Sequence, residues 1–301
     1  MRSPVVCSIL FAFSLPGVFA QQNNASLPAP APTPAPIQRP EDSAVTRKGA
    51  ERINADVITA RKATAENRFA DAEALMQTVT ESNPNIILPW VELGLAQIRL
   101  KKYAEAENSF MTALGIDPAS QRRLHSDDFY QKVDTPGVVA AAATRHSRNA
   151  VGGTISTGEN RTPDIQGVSW ASLGEIYAHQ GKTADATAAF DSAARVFPAN
   201  SALYRHNETV SFFQIGNSEA QLASAEQAIA LDPTRAANYY FKAQALVSKA
   251  AMDPKTGKMT LPPECAQAYQ KYLELEPNGP FSADAKGVLS AAGIAINAGK
   301  K

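Results

Sequence analysis

Hydrophobic and polar positions along this chain recur in blocks that each close on a proline. Pro84 and Pro118 lie 34 residues apart, Pro198 and Pro233 lie 35 apart, and Pro277 closes the last block. Before each proline, small and apolar residues recur every three or four positions in two successive runs, which is the spacing of two amphipathic helices. A fixed period of this length predicts stacked helix pairs, not a single sheet or bundle.

The clearest block extends from Ile87 to Ser120. Its two predicted helical stripes contain, in order, Trp90, Leu93, Gly94 and Leu100, and then Tyr103, Ala106, Phe110, Ala113 and Leu114. Gly94 and Ala106 are expected to let the two helices approach each other, and Phe110 is expected to fill the groove between neighbours. Pro118 is expected to end the second helix, because proline cannot donate the next backbone hydrogen bond.

The order of residues in this block resembles that of the tetratricopeptide repeat family. Only Gln97 departs from the family pattern, which usually has an aromatic residue at that place. The block from Trp170 to Pro198 matches almost as well, and three further blocks match in part. The resemblance implies an all-α fold, a right-handed α-solenoid of tetratricopeptide-like helix pairs with a capping C-terminal helix.

The pattern divides the chain into six segments. They are a signal peptide (1–20), a Pro/Ala-rich disordered tether (21–42), repeats 1 and 2 (43–120), a degenerate repeat with a flexible loop (121–166), repeats 3 to 5 with an insertion at 252–263 (167–280), and a capping helix and tail (281–301). In the fourth segment, Val151 to Gln166 is predicted to be a flexible loop that follows a degenerate repeat. The alternative is that this loop has a function in binding. The capping helix is predicted over Phe281 to Gly299.

The N-terminal residues have the features of a secretory signal peptide. Arg2 gives a short basic head, residues 5–15 are apolar, and Val18 and Ala20 form a small-residue cleavage site. We therefore expect an exported protein, periplasmic or extracellular, whose mature chain begins at Gln21; an uncleaved anchor is the alternative. The proline-rich tether is expected to be a solvated N-terminal tail, and an extended spacer or a ligand for an aromatic groove are its other interpretations.

Composition excludes several classes of partner. The 29 basic and 29 acidic residues balance, and no basic stripe indicates nucleic acid binding. No stretch after the signal is long and apolar enough to predict a transmembrane segment. Of the two cysteines, Cys7 leaves with the signal, so Cys265 stands alone and is expected to be a buried structural thiol.

No pattern in the chain predicts chemistry. The four histidines, two of which are His179 and His206, show no spacing that would ligate a metal. No glycine-rich phosphate loop and no strand–turn–helix nucleophile motif occurs. The sequence therefore predicts no catalytic residues, no metal and no cofactor, and a protein that is not an enzyme.

The resemblance implies a protein-interaction scaffold or adaptor that binds a protein or peptide partner. In this family the first helix of each repeat lines the concave groove, which gives as candidate partner-binding residues Val91, Leu95, Ile98, Arg99, Glu175, His179, Arg205, His206, Thr209, Tyr240 and Gln244. Arg205 and His206 are expected to avoid the packed stripe, so that their joint substitution would leave stability unchanged. Val57 and Val91 stand where the family's peptide-end clamp has lysine, which argues against an acidic C-terminus as the ligand. A glycan-binding or enzymatic solenoid of the cell envelope is the alternative.

Overall fold

The computed structural model describes residues 40–116, 161–252, 254 and 259–296, with side chains from Lys48 onwards. Within these ranges the chain forms eleven α-helices, one 3₁₀ helix and two short strands. The predicted all-α fold is confirmed. The predicted signal peptide and most of the tether lie outside the described residues, as does most of segment 121–166.

Ten of the helices form five consecutive pairs, which we number as repeats 1 to 5. The first four pairs are α1 (Pro40–Ala65) with α2 (Phe69–Ser82), α3 (Ile87–Arg99) with α4 (Tyr103–Leu114), α5 (Pro163–His179) with α6 (Thr183–Val196), and α7 (Ser201–Gln214) with α8 (Ser218–Leu231). The fifth pair is α9 (Ala236–Val247) with α10 (Pro263–Leu275), and α11 (Ser282–Ala291) follows it. A 3₁₀ helix at Pro198–Asn200 precedes α7.

The turn inside each of the first four pairs contains one residue in the left-handed backbone conformation. These residues are Asn67, Lys101, Gly181 and Gly216, with φ between 59° and 75°. The left-handed residue follows the end of the first helix and allows the chain to reverse into the second. Repeat 5 departs from this pattern, because an antiparallel pair of strands, β1 (Ala251–Met252) and β2 (Met259–Thr260), separates its two helices. This pair of strands begins at Ala251, one residue before the predicted insertion at 252–263.

The first helices of successive repeats form one continuous layer. Helix α1 contacts α3, α3 contacts α5, α5 contacts α7, and α7 contacts α9, while each second helix packs between its own partner and the next first helix. Among the described residues, successive second helices do not pack closely on one another. The first helices are therefore the inner layer of a curved stack, and their free face is concave.

Repeats 2 and 3 are neighbours in this stack although residues 117–160 separate them in sequence. Helix α4 packs directly on α5. Arg161 Nε donates a hydrogen bond of 2.8 Å to the Ala113 carbonyl, and Gln180 Nε2 donates one of 3.1 Å to Glu107 Oε2. Helix α5 thus occupies the place against α4 that the helices of an intervening repeat would need.

Several predicted boundaries were wrong by a few residues, and glycines explain two of them. Helix α4 ends at Leu114 because Gly115 adopts a left-handed φ of 76° as its C-cap, before Pro118 could act. Helix α11 ends at Ala291, with Gly293 at φ 69°, well short of Gly299. Helix α5 begins at Pro163 inside the predicted loop, since proline suits the first helical turn. Helix α1 begins at Pro40, inside the predicted tether.

The core is built around aromatic rings that face glycines. A Cβ atom on Gly94 would lie 2.7 Å from the Phe110 ring, and one on Gly174 would lie 2.6 Å from the Phe190 ring. Both rings are completely buried. The predicted close approach of the two helices at Gly94 is therefore confirmed, and the same contact recurs in repeat 3.

Candidate functional site

The left-handed turn residues and one recurrent hydrogen bond show which positions of the five repeats are equivalent. The four left-handed turn residues align repeats 1 to 4. Trp90 Nε1 donates to the Pro84 carbonyl, and Tyr239 Oη donates to the Pro233 carbonyl at the same sequence separation, which aligns repeat 5 with repeat 2. This alignment assigns every first-helix residue a place relative to the concave face.

Two rows of solvent-accessible side chains run along the concave face, one residue from each first helix. We call the first the central row, and it contains Arg61, Leu95, Glu175, Val210 and Gln244. The second lies one helical turn further along each helix, and we call it the edge row; it contains Ala65, Arg99, His179, Gln214 and Ser248. All ten residues are partly or fully exposed. These rows form the candidate functional site.

Five of the eleven predicted residues lie in these rows, and six, including Arg205, do not. Leu95, Glu175 and Gln244 belong to the central row, and Arg99 and His179 belong to the edge row. The expectation that Val91, Ile98, His206, Thr209 and Tyr240 face outward is wrong, because their exposed fractions are 3%, 8%, 3%, 0% and 6%. They occupy places at which first helices pack against neighbouring helices.

The error in repeat 4 has a specific cause. The choice of Thr209 requires Tyr204 to be the equivalent of Trp90, whereas Arg205 is the residue that lies as far before Gly216 as Trp170 does before Gly181. The residues of the 3₁₀ helix before α7 supply the offset. With the corrected alignment, Thr209 takes the place of Gly94 and Gly174 between packed helices. Val210 then belongs to the central row and Gln214 to the edge row. In the sequence, their distance from Gly216 was the signal that could have identified them.

Most polar side chains of the central row are held by neighbours. Arg61 Nε donates a 2.7 Å hydrogen bond to Glu92 Oε1 on α3. Gln244 Nε2 donates to Asp284 Oδ2 at 2.7 Å and to Tyr240 Oη at 2.9 Å, and Tyr240 Oη itself donates to Asp284 at 3.0 Å. The Gln244 and Tyr240 contacts tie α9 to the capping helix α11. Gln244 and Tyr240 therefore have a structural role at the C-terminal end of the stack.

Glu175 is the exception in the central row. Within the described part of the chain its carboxylate accepts no hydrogen bond and forms no ion pair. Burial raises the pKa of this carboxyl above its ordinary value, and the nearby positive charge of Arg99 opposes the shift. Glu92 and Glu208, the buried glutamates of α3 and α7, also have raised pKa values because of burial, but an arginine donates a hydrogen bond to each.

The edge row has an aromatic contact on the helix that carries Glu175. The His179 ring stacks on Tyr103 of repeat 2 with centroids 4.9 Å apart and planes inclined by 20°. Burial and then the charge of Lys101 lower the pKa of His179 below its ordinary value. A neutral imidazole is therefore the favoured form of this side chain near neutral pH.

Arg205 lies near the junction of repeats 3 and 4, partly inside the packed layer. Its Nη1 donates a 2.8 Å hydrogen bond to Glu208 Oε2, and its Nη2 donates to Asp191 Oδ1 of α6. The side chain of Arg205 is 13% exposed and that of Glu208 is 3% exposed. Arg205 therefore stabilises a buried carboxylate, and its guanidinium group is already bound to Glu208 and Asp191.

Other reactive groups of the described chain are buried or dispersed. The Cys265 side chain is fully buried, as predicted, and its thiol donates to the Ala243 carbonyl at 3.4 Å. Burial raises the pKa of this thiol to about 11. Searching the described residues finds no group of three or more His, Cys, Asp or Glu side chains arranged to hold a metal ion. In those same residues no helix combines the length and apolar character needed to span a membrane.

Comparisons with known proteins agree with this architecture. Residues 89–120, which contain most of repeat 2, match the family model described as tetratricopeptide repeat. The fold is thus an all-α solenoid of helix pairs, one of which matches that repeat. Comparison with curated proteins gives no match.

Solved structures give weaker similarities. The crystal structure of YrrB, described as a TPR protein with an unusual peptide-binding site, is 13% identical, with a TM-score of 0.43, 82% of this chain covered and 97% of that one. The Cut9–Hcn1 hetero-tetramer of the APC/C is 12% identical, with a TM-score of 0.33, covering 84% of this chain and 46% of that one. The TPR2AB domain of yeast Sti1 in its complex with pHSP90 is 12% identical, with a TM-score of 0.30, covering 81% and 99%. The helix pairs themselves, and not these scores, define the fold.

Proposed function

We propose that this chain is a tetratricopeptide repeat protein that acts as an interaction scaffold and binds a protein or peptide partner in its concave groove. The groove is the surface formed by the central row and the edge row. Stacked repeats of this kind create extended concave surfaces that suit an elongated ligand. The proposal covers binding, and it assigns no catalytic step to any residue.

The alternation of apolar and polar groups along the central row carries this proposal. Leu95 and Val210 are partly buried apolar side chains that still reach solvent, and Glu175 lies between them. Such a surface offers both contact area and hydrogen-bonding groups, which a protein interface requires. The tetratricopeptide match over 89–120 includes Leu95 and Arg99, so it coincides with part of this surface.

Site-specific photo-cross-linking tests the groove as the binding surface. A photo-reactive amino acid replaces Gln214, which is exposed in the edge row, and a control protein carries it at Glu81, which is exposed on the outer helix α2. Both proteins are irradiated in an extract of the source cells that combines the cytosolic, periplasmic and secreted fractions, so that the result does not depend on export. We expect one defined protein adduct at Gln214 and none at Glu81. Equal adducts at both positions, or saturable binding of glycans in place of protein, would contradict the proposal.

We also propose that the chain is exported. The basic head, the apolar residues 5–15 and the small-residue site ending at Ala20 support this. N-terminal sequencing of the protein recovered from the periplasm or medium tests it, with Gln21 as the expected first residue. Recovery of the chain in the cytosol with Met1 intact would refute export without affecting the groove.

A further inference from the structure

We infer that the groove selects an extended peptide with a basic side chain opposite Glu175 and apolar side chains on either side of it. This inference rests on the proposed function, because it names the chemistry of the ligand for the same groove. It commits to a lysine or arginine of a partner protein as the group that meets the Glu175 carboxylate.

The carboxylate of Glu175 has hydrogen-bonding capacity that the described residues do not use. The other two polar members of the central row are already engaged, Arg61 by Glu92 and Gln244 by Asp284. The buried glutamates of the neighbouring first helices also have arginine donors. Glu175 is accessible from the groove, and no described residue donates a hydrogen bond to it. An ammonium or guanidinium group from a ligand would supply donors of the kind that its counterparts already have.

The charges around this carboxylate also favour a basic ligand. Arg99 acts on Glu175 from the neighbouring repeat, and Lys101 acts on the adjacent His179. The positive charge of Arg99 only partly offsets burial, since the pKa of Glu175 remains raised. Added positive charge at this point therefore stabilises the ionised carboxylate. Arg99 and Lys101 would instead attract an acidic ligand at the edge row. Selection of acidic peptides is therefore the outcome that would contradict the inference.

The spacing of the central row suits an extended peptide. Packed helices lie about 8–10 Å apart, so Leu95, Glu175 and Val210 should present their side chains at about that interval. A polyproline II segment has three residues per turn and rises about 3.1 Å per residue, which brings every third side chain to the same face about 9 Å apart. A segment with an apolar residue three positions before the basic residue, and another three positions after it, fits this row.

Peptide selection tests the inference with three proteins. A phage-displayed library of random peptides is selected on the wild-type chain, on Glu175→Gln and on Glu81→Gln, which changes an exposed glutamate of the outer helix α2. The glutamine at 175 keeps the size of the side chain and removes its charge. One peptide selected on the wild-type chain is then synthesised, and its affinity for all three proteins is measured by calorimetry.

We expect enrichment of lysine or arginine on the wild-type and Glu81→Gln proteins, and its loss on Glu175→Gln. The synthesised peptide should bind Glu175→Gln about tenfold more weakly, as the loss of one charge-assisted contact predicts. Selected peptides without basic enrichment, enrichment of acidic residues, or unchanged affinity for Glu175→Gln would overturn the inference and leave the proposed groove standing. Failure of the wild-type chain to select any peptide would overturn both.

Discussion

The imidazole of His206 contacts the side chain of Asn238 across the junction between repeats 4 and 5, with Nδ1 of the histidine 2.7 Å from Oδ1 of the asparagine. Both side chains are buried, and the His206 ring lies 6.0 Å from the Phe241 ring. Arg235 and Asp232 are the charged groups that act on His206, with opposite effects on its proton affinity. Burial disfavours the imidazolium cation and lowers the pKa of His206, and the contact with Asn238 opposes this shift.

The burial of His206 predicts a stability that decreases in acid. The pKa of His206 lies below its ordinary value of 6.5, chiefly through burial, so the unfolded chain takes up a proton at a higher pH than the folded chain does. The stabilising contribution is therefore complete above pH 6.5 and decreases as the pH falls below it. Urea unfolding at neutral and mildly acidic pH measures this decrease, which for one group has a slope of at most about 1.4 kcal/mol per pH unit.

The His206→Asn variant is the control for that measurement. Its amide can contact Asn238 without titrating, so the difference in unfolding free energy between wild type and variant isolates His206. Glu92, Glu175 and Glu208 have raised pKa values and shift stability in the opposite direction in acid, but they do so in both proteins. His179, whose pKa is also lowered, is likewise common to both. An identical pH dependence in the two proteins would refute the prediction.

A pair of glycine substitutions should have opposite effects on stability. Gly94→Ala places a methyl group 2.7 Å from the buried Phe110 ring, and we expect it to destabilise the chain by about 1–3 kcal/mol despite the better helix propensity of alanine. Gly287→Ala, in helix α11 with no atom within 4 Å of the new Cβ, should stabilise it by about 0.5–1 kcal/mol. Thermal and urea unfolding of both variants test this, and a neutral Gly94→Ala would contradict the close approach of α3 and α4.

Loss of the Phe110 ring should damage the stack locally. The side chain is fully buried between the helices of repeat 2, so Phe110→Ala should cost about 3–5 kcal/mol. Because repeats are coupled mainly to their neighbours, the loss of protection should centre on α2 to α5. Native-state hydrogen exchange measures it helix by helix. Equal loss of protection in α9 to α11, at the other end of the stack, would be evidence against this local coupling.

The sequence carries enough signal to predict the helix pairs of this fold. Trp90 with Leu93, and Trp170 with Leu173, identify repeats 2 and 3, and the recurring prolines give the period of the others. The adjacency of α4 and α5 could not be predicted in the same way. Residues 117–160 interrupt the register there, and only the packing of Arg161 and Gln180 against repeat 2 reveals which helices meet.

The candidate site was predictable only in part, since Leu95, Glu175 and Gln244 lie in the central row whereas Val91 and Ile98, from the clearest repeat, are buried. Leu95 and Glu175 follow from the tryptophan motifs of their own repeats. Repeat 4 lacks that motif, because Arg205 and Glu208 stand where repeats 2 and 3 have tryptophan and leucine. Polar residues at packed positions, such as His206, therefore looked like surface residues. Their burial depends on partners contributed by other helices, which a pattern along one helix does not contain.

Arg205 and Glu208 are polar residues at places where repeats 2 and 3 have apolar ones, and this gives a prediction about Arg205. Its hydrogen bond to Glu208 neutralises a side chain that is only 3% exposed. Arg205→Ala would leave that carboxylate buried without its arginine, and removal of one partner of a buried ion pair costs about 3–5 kcal/mol. The sequence-based expectation that Arg205 and His206 can be replaced together without loss of stability is therefore reversed, and we expect that double variant to unfold well before the wild-type chain.

Replacing both charges with apolar residues should instead preserve the fold. Arg205→Met with Glu208→Leu restores apolar character to the places that Trp170 and Leu173 occupy in repeat 3, and Asp191, which is 44% exposed, can remain solvated. Exchange of a buried ion pair for packed apolar groups is often neutral or stabilising by about 1–4 kcal/mol. Urea unfolding of the wild type, the single variant Arg205→Ala and this double variant forms the comparison. A double variant as unstable as the single one would mean that the pair is required for packing at the junction of repeats 3 and 4, and not merely tolerated there.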